Sequence, residues 1–411
     1  VLNAVYRGKD RAIAFAVWGA TIGGMAALGP LVGGWLTTYA SWHWAFLINV
    51  PIAIAVVIGV LLLVPETKDT VDKRGIDPSG TLLGTLGLAA LVFGLIEGQN
   101  YGWISPKKPF TIGGWTWPLD NISAPGVALI LAVVLLAAFV WVEARRKAAG
   151  KVVMVDLGLF NIRTFGVGNA VAAIVSLGEF GLLFILPLFL QSVVGYDALE
   201  TGVILLALAL GSFIASGVGA GLARKIGPVP VLRLGMALEV IGVLAIALVL
   251  NPTVSGWAMA PGLFIYGLGV GFATAQLTGV ILAEVPVAES GMASAVQSTS
   301  RQVGAAIGTA LLGAVLVTGL GSITGDLTER GVPQAAAEQV TEVVQTTAGT
   351  AVAKLPEQPN GDVLFAGAGE GFANAARDVG FVAALLIALG LGAAFFLPRD
   401  AARTEAAGYA E

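Results

Sequence analysis

The amino-acid sequence predicts an all-α polytopic membrane protein with about ten transmembrane helices. Hydrophobic residues make up 56% of the 411 positions and charged residues only 12%, whereas soluble domains average about 25% charged residues. Such a chain cannot cover a globular surface with polar groups. A bilayer accepts it, because each helical span needs about 20 mostly apolar residues, and the apolar residues fall into ten stretches of that kind.

The loops between these stretches give an orientation. Most of the 22 Lys and Arg residues fall in one set of alternate loops, and Lys/Arg-rich loops are the cytoplasmic ones. This pattern places both ends of the chain in the cytoplasm and the long polar segment 321–378 outside, where we expect one or two short helices. The predicted spans cover residues 12–36, 44–64, 81–97, 125–142, 166–190, 202–223, 231–250, 258–283, 301–320 and 379–397.

The first span is rich in glycine and contains a Gly-Pro step. In a soluble helix each interior Gly costs ~1 kcal/mol and each Pro ~3 kcal/mol relative to Ala. In lipid the backbone must satisfy its hydrogen bonds within the segment, so the helix is enforced, and small residues let neighbouring helices approach closely. The four-residue spacing of Gly29 and Gly33 therefore predicts a smooth face that packs against another helix.

Two motifs in this region resemble the fifth and sixth helices of the fourteen-helix drug:proton antiporters in the major facilitator superfamily. They are Gly29-Pro30-x-x-Gly33-Gly34-x-Leu36 and Trp42-x-Trp44-x-Phe46-x-Ile48-Asn49-x-Pro51. The first resembles the antiporter motif, which implies a helix that bends and seals the bundle between conformations. This chain departs from the family pattern at Met25, where a small residue is usual, and at His43, where Arg is usual. We expect His43 to belong to an aromatic belt at the membrane boundary, with a proton relay as the alternative.

The resemblance continues through four later segments, at 82–103, 156–165, 186–196 and 300–308. It divides the chain into the last two helices of an N-terminal half (1–64), two linker helices with their loops (65–165), a C-terminal six-helix half (166–397) and a cytoplasmic tail (398–411). In this register the ten spans correspond to helices five to fourteen. We therefore expect the sequence to begin inside a longer protein and the 411 residues alone not to transport.

Two acidic residues lie within predicted spans. A charge near the bilayer centre costs from ~3 kcal/mol upward, and such residues usually line a cavity or form a pair. We expect Glu179 and Glu239 to take up a proton or to attract a cationic substrate. The alternative is an inert buried acid, which for Glu239 includes a pair with Arg233.

Several polar residues are further candidates for function. Gln191 and Gln276 could contact substrate or bridge helices. Arg301 and Gln302 begin the ninth predicted span. We expect Arg301 to anchor the helix at the membrane interface, and the alternative is a salt bridge that acts as a gate. Arg224 lies in segment 220–227, which resembles the cytoplasmic loop motif of the superfamily but has Arg224 in place of the usual Asp, so we expect a tight turn with basic anchors.

Composition and motifs exclude several other classes of protein. The chain has no cysteine and one histidine, which excludes disulfides and makes a bound metal or cofactor improbable. No phosphate-binding Gly-Lys-Ser/Thr loop is present, and the glycine run 266–271 lies within a span instead of following a strand. The basic segment 145–151 favours anionic lipid over nucleic acid as its partner.

The resemblance implies proton-coupled efflux of small lipophilic or cationic compounds by alternating access between two halves. The expected partners are a small-molecule substrate, protons and membrane lipids, and we expect a monomer in the plasma or inner membrane. Three alternatives stay open: an exporter of one endogenous metabolite or lipid, a polytopic membrane enzyme, and a non-transporting truncated form.

Overall fold

The computed structural model describes residues 31–64 and 75–398, together with Tyr6, Ala14, Val17, Thr21, Met25 and Gly29. Within these residues nine helical segments are long and apolar enough to cross a membrane. This confirms the predicted all-helical membrane class. The remaining predicted span, 12–36, lies mostly outside the described residues, of which 31–39 are helical.

The next two helices form one continuous apolar segment. Helix α1 covers Trp42–Leu47 and helix α2 covers Asn49–Leu63, and none of the residues described in either helix is buried. The Asn49 amide donates to the Phe46 carbonyl at 3.2 Å, so its polar group is satisfied within the segment. Such a surface suits contact with lipid or with further apolar helices.

A helical hairpin follows. Helix α3 (Pro78–Tyr101) and helix α4 (Ala124–Ala148) are joined by a short antiparallel ribbon of β1 (Thr111–Ile112) and β2 (Trp115–Thr116). The N-caps of the two helices are Asp77 and Ser123. The buried residues of α3 are all glycines: Gly80, Gly84, Gly87, Gly94 and Gly98. The first four allow α4 to approach closely, and Gly98 makes room for Trp103.

Six long helices form the rest of the bundle. They are α5 (Arg163–Ser192), α6 (Ala198–Ile226), α7 (Pro228–Val249), α8 (Ala260–Leu282), α9 (Ser290–Gly319) and α12 (Gly361–Ala394). Helix α8 packs between α6 and α7, and α5 packs between α9 and α12.

Glycine seams set the distances between these helices. A Cβ added at Gly267 or Gly271 of α8 would lie 1.8 or 2.3 Å from a carbonyl oxygen of α6. One added at Gly304 or Gly308 of α9 would lie 2.2 or 2.0 Å from a carbonyl oxygen of α5. The glycine run 266–271 thus serves helix packing, as its position within a span indicates.

Residues 320–360 fold over one end of the six-helix unit. Helices α10 (Ile323–Glu329) and α11 (Gln334–Thr346) lie here, and their buried residues Ile323, Leu327 and Val344 share a core with Phe189 and Phe372. The short helices expected in this segment are therefore present.

Two helices begin far from the predicted start of their spans, whereas the other boundaries differ by a few residues. Helix α9 begins at Ser290 and not at Arg301, and α12 begins at Gly361 and not near Val379. The predicted loop 321–378 is therefore too long, since residues 361–378 are helical. With 34 residues, α12 is ~51 Å long and exceeds the ~30 Å hydrocarbon core.

Candidate functional site

Four helices bring two acids, one arginine and one tyrosine together in the six-helix unit. Glu179 of α5 is 4% exposed, and Glu239 of α7 and Tyr266 of α8 are 0% exposed. Arg301 of α9 approaches Glu179, with Nη2 at 3.4 Å from Oε2. The charges of Glu179 and Arg301 act on both Glu239 and Tyr266. We call these four residues the core acid cluster.

The contact between Arg301 and Glu179 depends on the glycine seam. Gly304 and Gly308 let α9 lie against the α5 backbone, and Arg301 precedes them on the same helix. Arg301 lies well inside α9, because the helix begins at Ser290 and not at Arg301 as the predicted span did. The α9 sequence before it is too rich in Ser, Thr and Gln to be recognised as a span, yet it is helical.

Glu239 is the least satisfied member of the cluster. Among the described residues neither of its carboxyl oxygens has a hydrogen-bond partner, and the same holds for the Tyr266 hydroxyl. Gly269 of α8 makes room for the Glu239 side chain, since a Cβ added at Gly269 would lie 2.6 Å from the Glu239 Cγ. The expected alternative of a pair with Arg233 is not found, because neither Glu239 oxygen has a partner among the described residues. Arg233 donates instead to the Ala394 and Leu397 carbonyls.

The charges of the cluster determine its chemistry. Two acids and one arginine are electrically neutral only when one acid holds a proton, and an uncompensated buried charge is strongly unfavourable. A cavity of about 10 Å³, lined by Ser176, Glu179, Thr274 and Arg301, adjoins the ion pair. This is about the size of one water molecule, so the arrangement suits the binding and release of a proton.

A larger cavity of about 800 Å³ lies between α3, α5 and α9. Its size falls in the range of sites for small molecules, which combine an apolar lining with a few polar groups. Gln302 lines it, and so does Gln99, whose Nε2 donates to the Ala310 carbonyl at 2.8 Å. We call it the α3–α9 cavity. Its described lining contains neutral polar and apolar side chains, including Ser298, Thr309, Leu88, Val92, Ile96 and Phe184.

Other predicted residues lie elsewhere. Gln191 is exposed near the end of α5, and Gln276 is half-buried facing Gly219 of α6. Neither lines the two cavities described above. Arg224 is exposed in the last turn of α6, and Gly227 (φ +91°) then turns the chain into α7. The tight turn expected at this segment is therefore present.

The glycine motif of the first span is only partly described. Pro30 lies outside the described residues. Gly34 is buried, and an added Cβ would lie 2.4 Å from the Ala198 carbonyl oxygen at the start of α6. At Gly29 and Gly33 an added Cβ would meet no described atom within 4 Å. Gly34 thus makes the one close helix contact found for this motif within the described residues.

Three residues near the sites were not predicted from the sequence. Tyr266 and Ser176 lie within apolar spans, and nothing in the sequence around them distinguishes them from residues that only pack between helices. Gln99 falls just after a predicted span, where a polar side chain is ordinary. Their position depends on which helices are neighbours, and the pattern of a single sequence does not contain that information.

The family is established by sequence comparison. Residues 1–309 match the family model described as Major Facilitator Superfamily. This match covers more than half of the chain, which therefore belongs to the major facilitator superfamily, a family of membrane transporters. The predicted family and fold class are confirmed, and the membrane-enzyme alternative is set aside.

Curated relatives include transporters and resistance proteins. The chain is 30% identical over 358 residues to the probable actinorhodin transporter of Streptomyces coelicolor, covering 84% of this chain and 58% of that protein. It is 32% identical over 326 residues to the multidrug resistance protein Stp of Mycobacterium tuberculosis, covering 79% and 56%. It is 33% identical over 310 residues to the puromycin resistance protein pur8 of Streptomyces alboniger, covering 74% and 57%. The chain thus spans little more than half the length of these relatives.

Proposed function

We propose that this chain works in proton-coupled efflux of small lipophilic or cationic compounds, by alternating access between two halves of a major facilitator bundle. The observation that carries the proposal is the core acid cluster, in which two buried carboxyls share one arginine. The names of the relatives, which include multidrug and puromycin resistance proteins, support the substrate class.

Proton coupling in this proposal uses the unequal bonding of the two acids. Glu179 is paired with Arg301, and Glu239 lacks a hydrogen-bond partner among the described residues. A proton that binds Glu239 neutralises the cluster, and its loss leaves a net negative charge within the helices. That charge favours either the return of a proton or the approach of a cationic substrate.

The α3–α9 cavity supplies the proposed contact for lipophilic compounds. Its described lining has amides and hydroxyls but no charged side chain, so it suits uncharged parts of a substrate. Gln302 lies next to Arg301 on α9, which places the cavity beside the acid cluster along the helix. Movement of α9 along its glycine seam would then affect both sites together.

The proposed orientation follows from the basic residues. Arg145, Arg146 and Lys147 form the last turn of α4, and Arg224 and Lys225 form that of α6. These ends belong in the cytoplasm by the positive-inside rule. We propose a monomer in the plasma or inner membrane with both ends of the chain in the cytoplasm and the segment 320–360 outside.

A transport assay tests the proton site. Everted vesicles that contain the gene product with this chain would accumulate ethidium, a lipophilic cation, when the vesicle interior is acidic. We expect Glu239→Gln to remove the part of uptake that depends on the pH gradient and to keep ethidium binding. The matched control is Glu342→Gln, an exposed acid of α11. Full gradient-driven uptake by Glu239→Gln would refute the assignment.

Export of one specific endogenous compound is the second candidate. The observation that favours it is the name of one relative, the probable actinorhodin transporter. A panel of structurally unrelated dyes and antibiotics separates the two candidates. Transport of several classes supports multidrug efflux, and transport of a single class supports a dedicated exporter.

A further inference from the structure

A second pair of acids lies in the α3–α4 hairpin, away from the core acid cluster. Asp77 is 4% exposed and Glu143 is 0% exposed. Asp77 caps α3, where its Oδ1 accepts from the Gly80 amide at 2.8 Å and from the Ser79 hydroxyl at 2.7 Å. The Glu143 Oε2 accepts from the Val155 amide at 3.1 Å. Each acid thus has one oxygen that accepts from the backbone.

The other two oxygens face each other. A Cβ added at Gly80 would lie 2.1 Å from Glu143 Oε1 and 2.6 Å from Asp77 Oδ2, so the two oxygens lie on either side of the same small space. Among the described residues neither oxygen accepts a hydrogen bond, although Asp77 Oδ2 forms an ion pair with Arg146. Two ionised carboxyls can only accept, but a single proton lets one donate to the other.

The charges around the pair also require a proton. Arg146 of α4 pairs with Asp77, with Nε at 3.1 Å from Oδ2, and it is the one cation that acts on the pair among the described residues. The adjacent Lys147 is paired with Asp156. Two acids and one arginine are neutral only with one bound proton, and burial makes the unneutralised state unfavourable.

The proton belongs to Glu143. Burial acts to raise the pKa of Asp77, but hydrogen bonds from Gly80 and Ser79, the facing Glu143 carboxyl and the charge of Arg146 together lower that pKa below its usual value. Asp77 is therefore the ionised member of the pair. A hydrogen bond from the Glu143 carboxyl to Asp77 requires Glu143 to carry the proton.

The same residues hold the loop that follows α4. Arg146 donates to the Val152 carbonyl through Nε at 3.0 Å and Nη2 at 2.9 Å, and Glu143 binds Val155. The next amide, that of Asp156, donates to Sδ of Met292 in the first turn of α9 at 2.9 Å. The 149–156 loop thus connects the hairpin acids to the helix that carries Arg301.

We propose that Asp77 and Glu143 form a proton-binding site that latches the 149–156 loop onto α4 and onto the start of α9. With one proton bound, the pair is bonded and the loop is closed. Loss of the proton places two negative charges side by side beside a single arginine. Glu143 then turns away from Asp77, and the loop loses its bond at Val155.

The direction of the pH effect follows from these charges. The ionised state of Asp77 is lost only when the pH falls through its lowered pKa, so the latch stays closed down to that acidic range. At the other limit, rising pH removes the shared proton and releases the loop. The groups that act on the pair are Ser79 and the Gly80 amide from α3, Arg146 from α4 and the Met154 and Val155 backbone from the loop. Among the described residues Arg146 is thus the one charged side chain that faces the two acids.

The absence of cysteine allows a direct test with the whole chain in detergent or nanodiscs. A nitroxide spin label on Met154→Cys reports loop motion, because Met154 is exposed. A label on Ala148→Cys, an exposed residue in the last turn of α4, is the matched control. We expect the Met154 label to become more mobile as pH rises and to recover when pH falls. The control label should change much less.

Glu143 variants make the proposal falsifiable. Glu143→Gln keeps the size of the side chain and cannot lose a proton, so it should hold the loop closed at every tested pH. Glu143→Ala should free it at every pH. In infrared spectra the carbonyl band of a protonated carboxylic acid should be present in the wild type and weaker in Glu143→Gln. A loop label that is insensitive to pH, or spectra that do not differ between these two proteins, would overturn the proposal.

Discussion

The core acid cluster and the hairpin pair contain the same charges, two carboxyls and one guanidinium, but they are bonded in different ways. In the hairpin, Asp77 and Glu143 each accept from a nearby backbone amide. In the core, Glu179 meets Arg301 at 3.4 Å, and Glu239 has no hydrogen-bond partner among the described residues. Both sites are electrically neutral only with one bound proton. They differ in the hydrogen bonds that their carboxyl groups accept.

This difference follows from where the groups lie in the fold. Asp77 is at a helix N-terminus and Glu143 is beside a loop, and both places offer backbone amides that no helix uses. The four core residues lie inside helices, where backbone amides are already bonded within the helix. Core acids can therefore be stabilised only by other side chains, water or a proton, which makes them the more sensitive to a change in charge.

The largest effect should come from removing the core arginine. Arg301→Met leaves two buried acids without a cation, and breaking a buried pair from one side costs about 3–5 kcal/mol of unfolding free energy. We expect somewhat less, because a quarter of the Arg301 side chain is exposed. The measurement is chemical unfolding in detergent, with Arg146→Met as the comparison in the hairpin.

A double variant checks the cause of that loss. Glu179→Gln combined with Arg301→Met removes both charges of the pair and should recover part of the lost stability. If the loss of unfolding free energy in the double variant equals the sum of the losses in the two single variants, the ion pair does not account for the effect.

The next effect concerns the helix contact that positions Arg301. Gly308→Ala would place a Cβ 2.0 Å from the Leu177 carbonyl oxygen, which forces α9 away from α5 and costs about 1–3 kcal/mol, as overpacking does. Gly279→Ala is the matched control, because its Cβ would meet no described atom within 4 Å. Thermal unfolding should separate the two alanines. Equal melting temperatures would show that the seam does not hold the helices together.

The sequence predicts the apolar helices better than it predicts the helix starts and the contacts of the site. The predicted span 44–64 corresponds to the helices α1 and α2, and each span from 81–97 to 258–283 corresponds to one helix, because apolar residues dominate them. The starts of α9 and α12 were missed because Ser290 and Gly361 open helices of small and polar residues with low hydropathy. The ion pair joins positions 122 residues apart, and no local pattern states which faces of α5 and α9 meet.

The hairpin pair was missed for a different physical reason. Polar residues at the ends of predicted spans are ordinarily hydrated, so Asp77 and Glu143 gave no sign of burial. Gly80 is the feature that creates the buried space, since any larger residue would displace both carboxyls. A glycine among the first residues of a helix, three positions after an acidic cap, is common enough that it does not by itself predict a site.

A smaller effect should distinguish the two helix caps of the hairpin. Asp77→Ala removes a cap and an ion-pair partner, and cap loss alone costs about 1 kcal/mol. Its difference from wild type should be present at neutral pH and should shrink as pH falls through the lowered pKa of Asp77. Ser123→Ala removes the cap of α4, whose hydroxyl accepts from Gly126 at 3.0 Å, and its cost should not depend on pH. Parallel pH curves for the two variants would contradict the charged role of Asp77.

The smallest effect should fall on polar residues outside both acid sites. Gln191 is exposed and lines neither cavity, so Gln191→Ala should change stability by less than about 0.5 kcal/mol. Gln99→Ala should cost about 1 kcal/mol, because its amide bonds the Ala310 carbonyl and joins α3 to α9. Unfolding of the two variants in the same detergent gives the comparison. A loss at Gln191 as large as that at Gln99 would contradict the exposed position of the Gln191 side chain.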